Sequence, residues 1–406
     1  MGSGRGRNAD RSATRRRRPD RSWPGNWLQS VKRFLIITTT AAITLTNLFP
    51  YSKVQADDLS QIRKDQWHLN YLKAAEAQSI SQGEGVIVAV PDTGVSPHPD
   101  LSSNLLRGVD LAGGGIDGKR DRDGHGTGMA GLIAAHGKGH QGALGIAPKA
   151  KILPIHVSSK GGSTADAMAA GIEYATRQGA QVVCISSGGA SNVRLRQAVK
   201  AALQANVIIV AAAGNTPDDS AVIYPAAENG VLAVAGVGRN GAHAPVSVSG
   251  PEIDVVAPAV DIYSTSINGK YRKGTGTSDA TAIVAGAAAL VRSKYPYLPA
   301  AEVVHRLTAT AVDKGPPGRD DEYGYGVIDL VAALTADVPP LGFESTTATP
   351  PKTGATSAAA QPAGGDDVGA AVRGWATLGV IVAAGCGFLV WRRRRRADDP
   401  PPRISR

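Results

Sequence analysis

Short runs rich in Val, Ile and Ala alternate along the middle of the chain with longer stretches of helical composition. Val86–Val90, Lys151–Val157, Gln181–Ser186, Val207–Ala213 and Val231–Val237 have the length and β-branched content of buried strands. Ser163–Gln178, Val193–Gln204, Ser278–Lys294 and Ala300–Ala311 have the length and composition of helices. This alternation predicts an α/β fold of three layers, a mostly parallel central sheet with helices on both faces. In such folds ligands meet the carboxyl ends of strands and the amino ends of helices.

Two longer apolar runs lie near the termini. Phe34–Phe49 follows an Arg-rich stretch and Lys32-Arg33, and precedes the small-residue pattern Val54-Gln55-Ala56. This order predicts a secretory signal over residues 1–56. The five threonines in the run keep an uncleaved signal anchor as the alternative. Gly374–Trp391 is free of charge, and as a helix would span about 27 Å of the roughly 30 Å hydrocarbon core. Trp375 and Trp391 sit at its ends, and Arg392–Arg396 follow as a cytoplasmic stop. The expected organisation is a short extension over 57–84, a main domain over 85–336, a Pro/Ala/Thr-rich linker over 337–372, a C-terminal transmembrane helix over 373–391 and a basic cytoplasmic tail over 392–406. The main domain would then be extracellular, tethered to the cell membrane by one pass.

Charge supports that topology. The formal charge of +10 is made by the ends: residues 1–33 carry a net +8 and residues 392–406 a net +5, leaving −3 between them. The basicity therefore points to the lipid bilayer, not to nucleic acid. Cys184 and Cys386 are the only cysteines, which rules out a disulfide framework, and Cys184 reads as a small core residue.

Three segments carry chemistry. Asp92 follows the apolar Val88-Ala89-Val90-Pro91, His125 stands in Asp123-Gly124-His125-Gly126-Thr127-Gly128 opening a small-residue helix, and Ser278 follows Gly274-Thr275-Gly276-Thr277 at the start of an Ala-rich helix. A serine hydroxyl becomes nucleophilic when an imidazole takes its proton and a buried carboxylate holds that imidazole. A helix N-terminus supplies N–H groups and a positive dipole end for a developing oxyanion. Asn215, ending Ala211-Ala212-Ala213-Gly214-Asn215, offers a further amide donor to the oxyanion hole. The order Asp, His, Ser is that of subtilisin.

These motifs resemble subtilases, and the layout resembles the mycosins, membrane-anchored subtilases associated with type VII secretion systems. The likeness extends to His98-Pro99-Asp100-Leu101, Tyr224-Pro225-Ala226 and Gly324-Tyr325-Gly326-Val327-Ile328-Asp329. It implies a serine endopeptidase without a cofactor, with Asp92, His125 and Ser278 catalytic, a cis bond before Pro225, and an N-terminal segment, Gln66–Leu72, packing on the domain. It also implies a substrate cleft walled by Ser186, Ser187, Gly188 and Gly189 on one side and Ala211, Ala212, Ala213 and Gly214 on the other. An extended peptide of a protein substrate would pair there as an added strand. Implied partners are that substrate and membrane components of a type VII secretion apparatus. A rival is a scaffold component of the secretion complex with weak or vestigial activity.

The chain departs from the family pattern at Pro91, Gly128, Asp279 and Thr281-Ala282. Asp279 reads two ways, as a carboxylate close to His125 or as a helix-start aspartate pointing to solvent. His98, His136, His140, His156, His243 and His305 read as surface or structural residues. No zinc spacing is present, and Asp110, Asp117, Asp121 and Asp123 read as a solvated loop, so no metal is expected.

Overall fold

The computed structural model describes residues 53–113, 116–158 and 163–342. The expected transmembrane helix and tail, and most of the expected linker and signal, lie outside the described residues. Among the described residues no helix is long and apolar enough to cross a membrane.

Seven parallel strands form the central sheet in the order β2-β5-β1-β6-β7-β8-β9. They are β1 (Ile87–Asp92), β2 (Val109–Asp110), β5 (Lys151–His156), β6 (Val182–Ile185), β7 (Ile208–Ala212), β8 (Leu232–Val237) and β9 (Val255–Pro258). All five expected strands lie in this sheet. The edge strand β2, of two residues, is too short to stand out as a run, and the edge strand β9 is not among the expected strands. Two small antiparallel pairs accompany it, β3 (His136–Lys138) with β4 (Gln141–Leu144), and β10 (Ile262–Thr265) with β11 (Tyr271–Gly274). The chain leaves β1 toward β5 on one side and later returns to β6 on the other, so the direction of winding reverses at β1. Ligand crevices of open α/β sheets form at such a point.

Side chains alternate between two core layers, as the period of two in a strand requires. Val88 and Val90, Val182 and Cys184, and Ile208 and Val210 enter one layer. Ala89, Val183 and Ile185, and Ile209 and Ala211 enter the other. Helices α1 (Lys53–Asp65), α2 (Trp67–Tyr71) and α3 (Ala74–Ile80) precede the sheet. The first layer is covered by α4 (His125–Ala134) and α7 (Thr277–Lys294), the second by α5 (Ala165–Arg177) and α6 (Val193–Gln204). The helices start where the sequence supplies caps: Thr164 accepts from the Ala167 N–H and Asn192 from the Leu195 N–H. α7 is buried on nearly all sides, which explains its run of small residues. α8 (Ala300–Ala309) and α9 (Leu330–Thr335) complete the fold.

The Gln66–Leu72 segment packs on this body. The Gln66 amide donates to Leu144 O and Tyr263 O and accepts from the Leu144 N–H, and Trp67 Nε1 donates to Val260 O. His68 and Leu69 are buried. The Tyr224–Pro225 bond is cis, as the resemblance implied, and so is Thr216–Pro217, which nothing in the sequence signalled.

Candidate active site

Asp92 ends β1, the strand at the switch point, with its side chain 2% exposed. His125 opens α4, and its Nδ1 lies 2.8 and 3.0 Å from the two Asp92 carboxylate oxygens. Two glycines permit this approach. Gly124 caps α4 at φ 99°, a left-handed conformation that side chains disfavour. A Cβ on Gly126 would stand 2.2 Å from Gly94 O and 3.1 Å from Asp92 Cβ, so any larger residue would push the helix off the strand.

Electrostatics follow from that contact. Burial alone would raise the Asp92 carboxyl, yet the His125 charge and the hydrogen bonds from His125 and Thr93 hold it below its ordinary value. The Asp92 charge in turn pushes His125 up to about 8, against the effect of burial. The ring remains partly open to solvent at 26%.

A residue read from sequence as part of a solvated loop builds the frame of this pair. Asp121 is buried. Its Oδ1 accepts from Thr93 Oγ1 and from the Asp123 and Gly124 N–H groups, and its Oδ2 accepts from the Thr127 N–H and hydroxyl. Thr93 also accepts from the Gly126 N–H. One carboxylate therefore ties the loop after Asp92 to the first turn of the His125 helix. Asp110 is not free in solvent either, since it pairs with His156 Nδ1 at 2.9 Å.

Ser278 lies in the first turn of α7 and shares with His125 a cleft of about 330 Å³. Its hydroxyl donates to Ser186 O at 2.7 Å. Asn215 follows β7, and its Oδ1 accepts from the Thr277 N–H at 2.9 Å. Only the carbonyl oxygen can face that donor, so the Asn215 NH₂ is left as the free edge of the amide. Asn215 also lines the cleft.

The cleft takes in Ser186, Ser187 and Gly188 from one expected wall and Ala212 and Gly214 from the other. Ala211 and Ala213 point into the two opposite core layers, and the Gly189 N–H is spent on Tyr224 O. Thr93, Asp123, Ser158, Asp218, Asp219, Ile223 and Thr277 also line the cleft. Of these, Thr93 stands next to Asp92, and Asp123 and Thr277 lie in the motifs that carry His125 and Ser278. Cys184 is buried, and burial pushes its thiol up to about 12, which leaves it inert.

Asp279 does not point to solvent. Its side chain is 3% exposed and meets Arg272 on β11, Nη1 to Oδ1, at 3.7 Å. Burial pushes its carboxyl up to about 6 although Arg272, and then His125, act to lower it. Among the described residues no group of three or more His, Cys, Asp or Glu is placed to hold a metal ion.

Comparison with known proteins agrees with this geometry. The subtilase family model matches residues 83–326. Subtilisin DY of Bacillus licheniformis is 39% identical over 269 residues, covering 64% of this chain and 96% of that protein. The crystal structure of MycP1 from Mycobacterium smegmatis superposes with a TM-score of 0.61 at 31% identity, covering 67% of this chain and 85% of that one. MycP3 protease from the type VII (ESX-3) secretion system superposes with a TM-score of 0.59 at 33% identity, covering 67% and 88%. A cleft built on an Asp–His pair and a helix-start serine, in a chain matched over these lengths, places the protein in the subtilase family of serine proteases.

Proposed function

We propose that the protein is a serine endopeptidase, exported and held to the outer face of the cell membrane, that acts with a type VII secretion apparatus. The observation that carries the chemistry is the Asp92–His125 pair at 2.8 Å in one cleft with Ser278 and Asn215. In the proposed mechanism His125 takes the Ser278 proton as the hydroxyl attacks the substrate carbonyl. Asp92 holds the ring with Nδ1 protonated, leaving Nε2 as the base, and stabilises the imidazolium. The Asn215 NH₂ and the Ser278 N–H receive the oxyanion. His125 then protonates the leaving amine, and water releases the acyl group by the same route. No cofactor enters these steps.

The secretion role is supported by the likeness to MycP1 and MycP3, described as proteases of type VII systems. Anchoring is supported by the charge-free Gly374–Trp391 and the five arginines after it. A second reading, a scaffold component with weak or vestigial activity, is favoured by one observation: the Ser278 hydroxyl is bonded to Ser186 O and not to His125.

A fluorophosphonate probe on intact cells tests both. Covalent labelling at Ser278, abolished in His125→Ala, is the expected result. Loss of nucleophile or base in subtilisin costs about 10⁶ in turnover. A folded wild type that takes no label supports the scaffold. Protease added outside the cells should release a soluble labelled fragment ending within residues 337–372, and release only after lysis would reverse the orientation.

A further inference from the structure

Behind the cleft, two departures from the family pattern meet a third residue. Gly128 lies three residues after His125, on the same face of α4. A Cβ there would stand 2.6 Å from Arg272 Nη1 and 2.8 Å from Arg272 Cδ, so the guanidinium occupies the space that the glycine leaves. Gly274 does the same from the end of β11: a Cβ there would stand 2.5 Å from Asp279 Oδ2 and 2.8 Å from Arg272 Nη2. Arg272 and Asp279 thus fill one space between α4, β11 and α7. Asp279 is next in sequence to Ser278.

Neither Arg272 Nη1 nor Asp279 Oδ1 has a hydrogen-bond partner among the described residues. Their contact at 3.7 Å is ionic and slightly beyond hydrogen-bond distance. A buried carboxylate without a cation would be neutralised, and the guanidinium, half-buried with its Nη1 out of solvent, cannot be. Each therefore makes the other tolerable.

We propose that Arg272 is a positioning residue for the reaction, pairing with Asp279 so that the buried carboxylate and the half-buried guanidinium offset one another beside His125. The proposal rests on the reading of His125 as the base. The charged groups facing His125 are Asp92 from β1, Asp123 from its own preceding turn, Arg272 from β11 and Asp279 from α7, while Asp218 and Asp219 line the same cleft. Arg272 lowers the basicity of the ring and Asp279 raises it, the Arg272 effect being the larger of the two. The pair leaves Asp92 to set the basicity of His125, which a lone aspartate after the nucleophile would disturb.

The test reads His125 directly. Full-length protein in membranes is treated with diethylpyrocarbonate across pH, and carbethoxylation of His125, which needs the neutral ring, is quantified by peptide mass spectrometry. D279N is expected to move the midpoint down and R272Q to move it up, each by roughly half a pH unit, the size of a charge screened over a helical turn. The double variant R272Q/D279N should return close to wild type and melt at a higher temperature than either single variant. A purely structural role would change melting alone. Midpoints that stay put, or that move the same way in both single variants, overturn the proposal. If R272Q does not fold, D279N still decides, because Arg272 without its carboxylate must lower the midpoint. Fluorophosphonate labelling is run in parallel. Midpoints that move as expected in the variants, beside a wild type that takes no label, would sink the protease reading and leave the charge pair standing.

Discussion

Ser278 gives its hydroxyl hydrogen bond to Ser186 O at 2.7 Å, so the serine faces the cleft wall instead of His125. Turning it toward the imidazole is a rotamer change that exchanges one hydrogen bond for another, a difference of about 1 kcal/mol. That is small beside the protonation of the base. His125 is pushed up to about 8, first by the Asp92 charge, so below that pH most of the imidazole is cationic and unable to accept a proton. Fluorophosphonate labelling of the free protein is therefore expected to rise about tenfold per pH unit on the acid side and to level off above pH 8. A plateau reached already near the ordinary histidine value would show that Asp92 does not govern the base.

Asn215 gives a prediction whose sign rests on which edge of its amide is used. Its Oδ1 is held by the Thr277 N–H, which leaves the NH₂ as donor. Asn215→Asp keeps the acceptor toward Thr277 but replaces the donor with a charged oxygen. Turnover on a peptide ester should fall by at least about 10²–10³, the usual cost of one lost oxyanion donor, with KM little changed. Equal turnover would show that the amide does not reach the reacting oxygen.

Much of this was legible in the sequence because it is local. Asp92, His125 and Ser278 each sit where an apolar run or a small-residue helix meets glycines, and the helix Val193–Gln204 has the bounds its composition indicated. What was not legible depends on contacts distant in sequence. Asp121 looks like one more acid in a polar loop, and only its bond to Thr93, 28 residues away, shows it to be buried. Arg272 lies on a four-residue strand whose pairing with β10 gives no periodic signal. The two readings of Asp279 were equally compatible with its neighbours, and the choice between them is made by that arginine.

Asp121 carries the next prediction. Five donors converge on its two oxygens, joining the Asp92 loop to α4. Asp121→Ala leaves them unpaired at a buried site and should cost about 3 kcal/mol or more in a denaturant titration. The variant that still folds should label about a hundredfold more slowly, since small displacements of reacting groups are costly. Unchanged labelling together with lost stability would confine Asp121 to folding and deny it a part in placing His125.

His68 offers a prediction away from the cleft. It is fully buried in α2, and neither ring nitrogen has a hydrogen-bond partner among the described residues. Burial pushes it down to about 3, so the folded protein keeps the ring neutral. The sign follows from proton counting. Between the ordinary value of 6.5 and about 3 the unfolded chain binds a proton here that the folded one refuses, so stability is lost as pH falls across that window. One such group contributes about 1.4 kcal/mol per pH unit. His68→Leu removes both the unpaired nitrogens and the titration. It should gain about 1–2 kcal/mol at neutral pH, and the gain should widen as pH falls below 6.5. Denaturant midpoints measured for both proteins from neutral to acid pH give the comparison. Curves that stay parallel would mean that His68 is protonated in the folded protein, and that α2 yields to let water reach it.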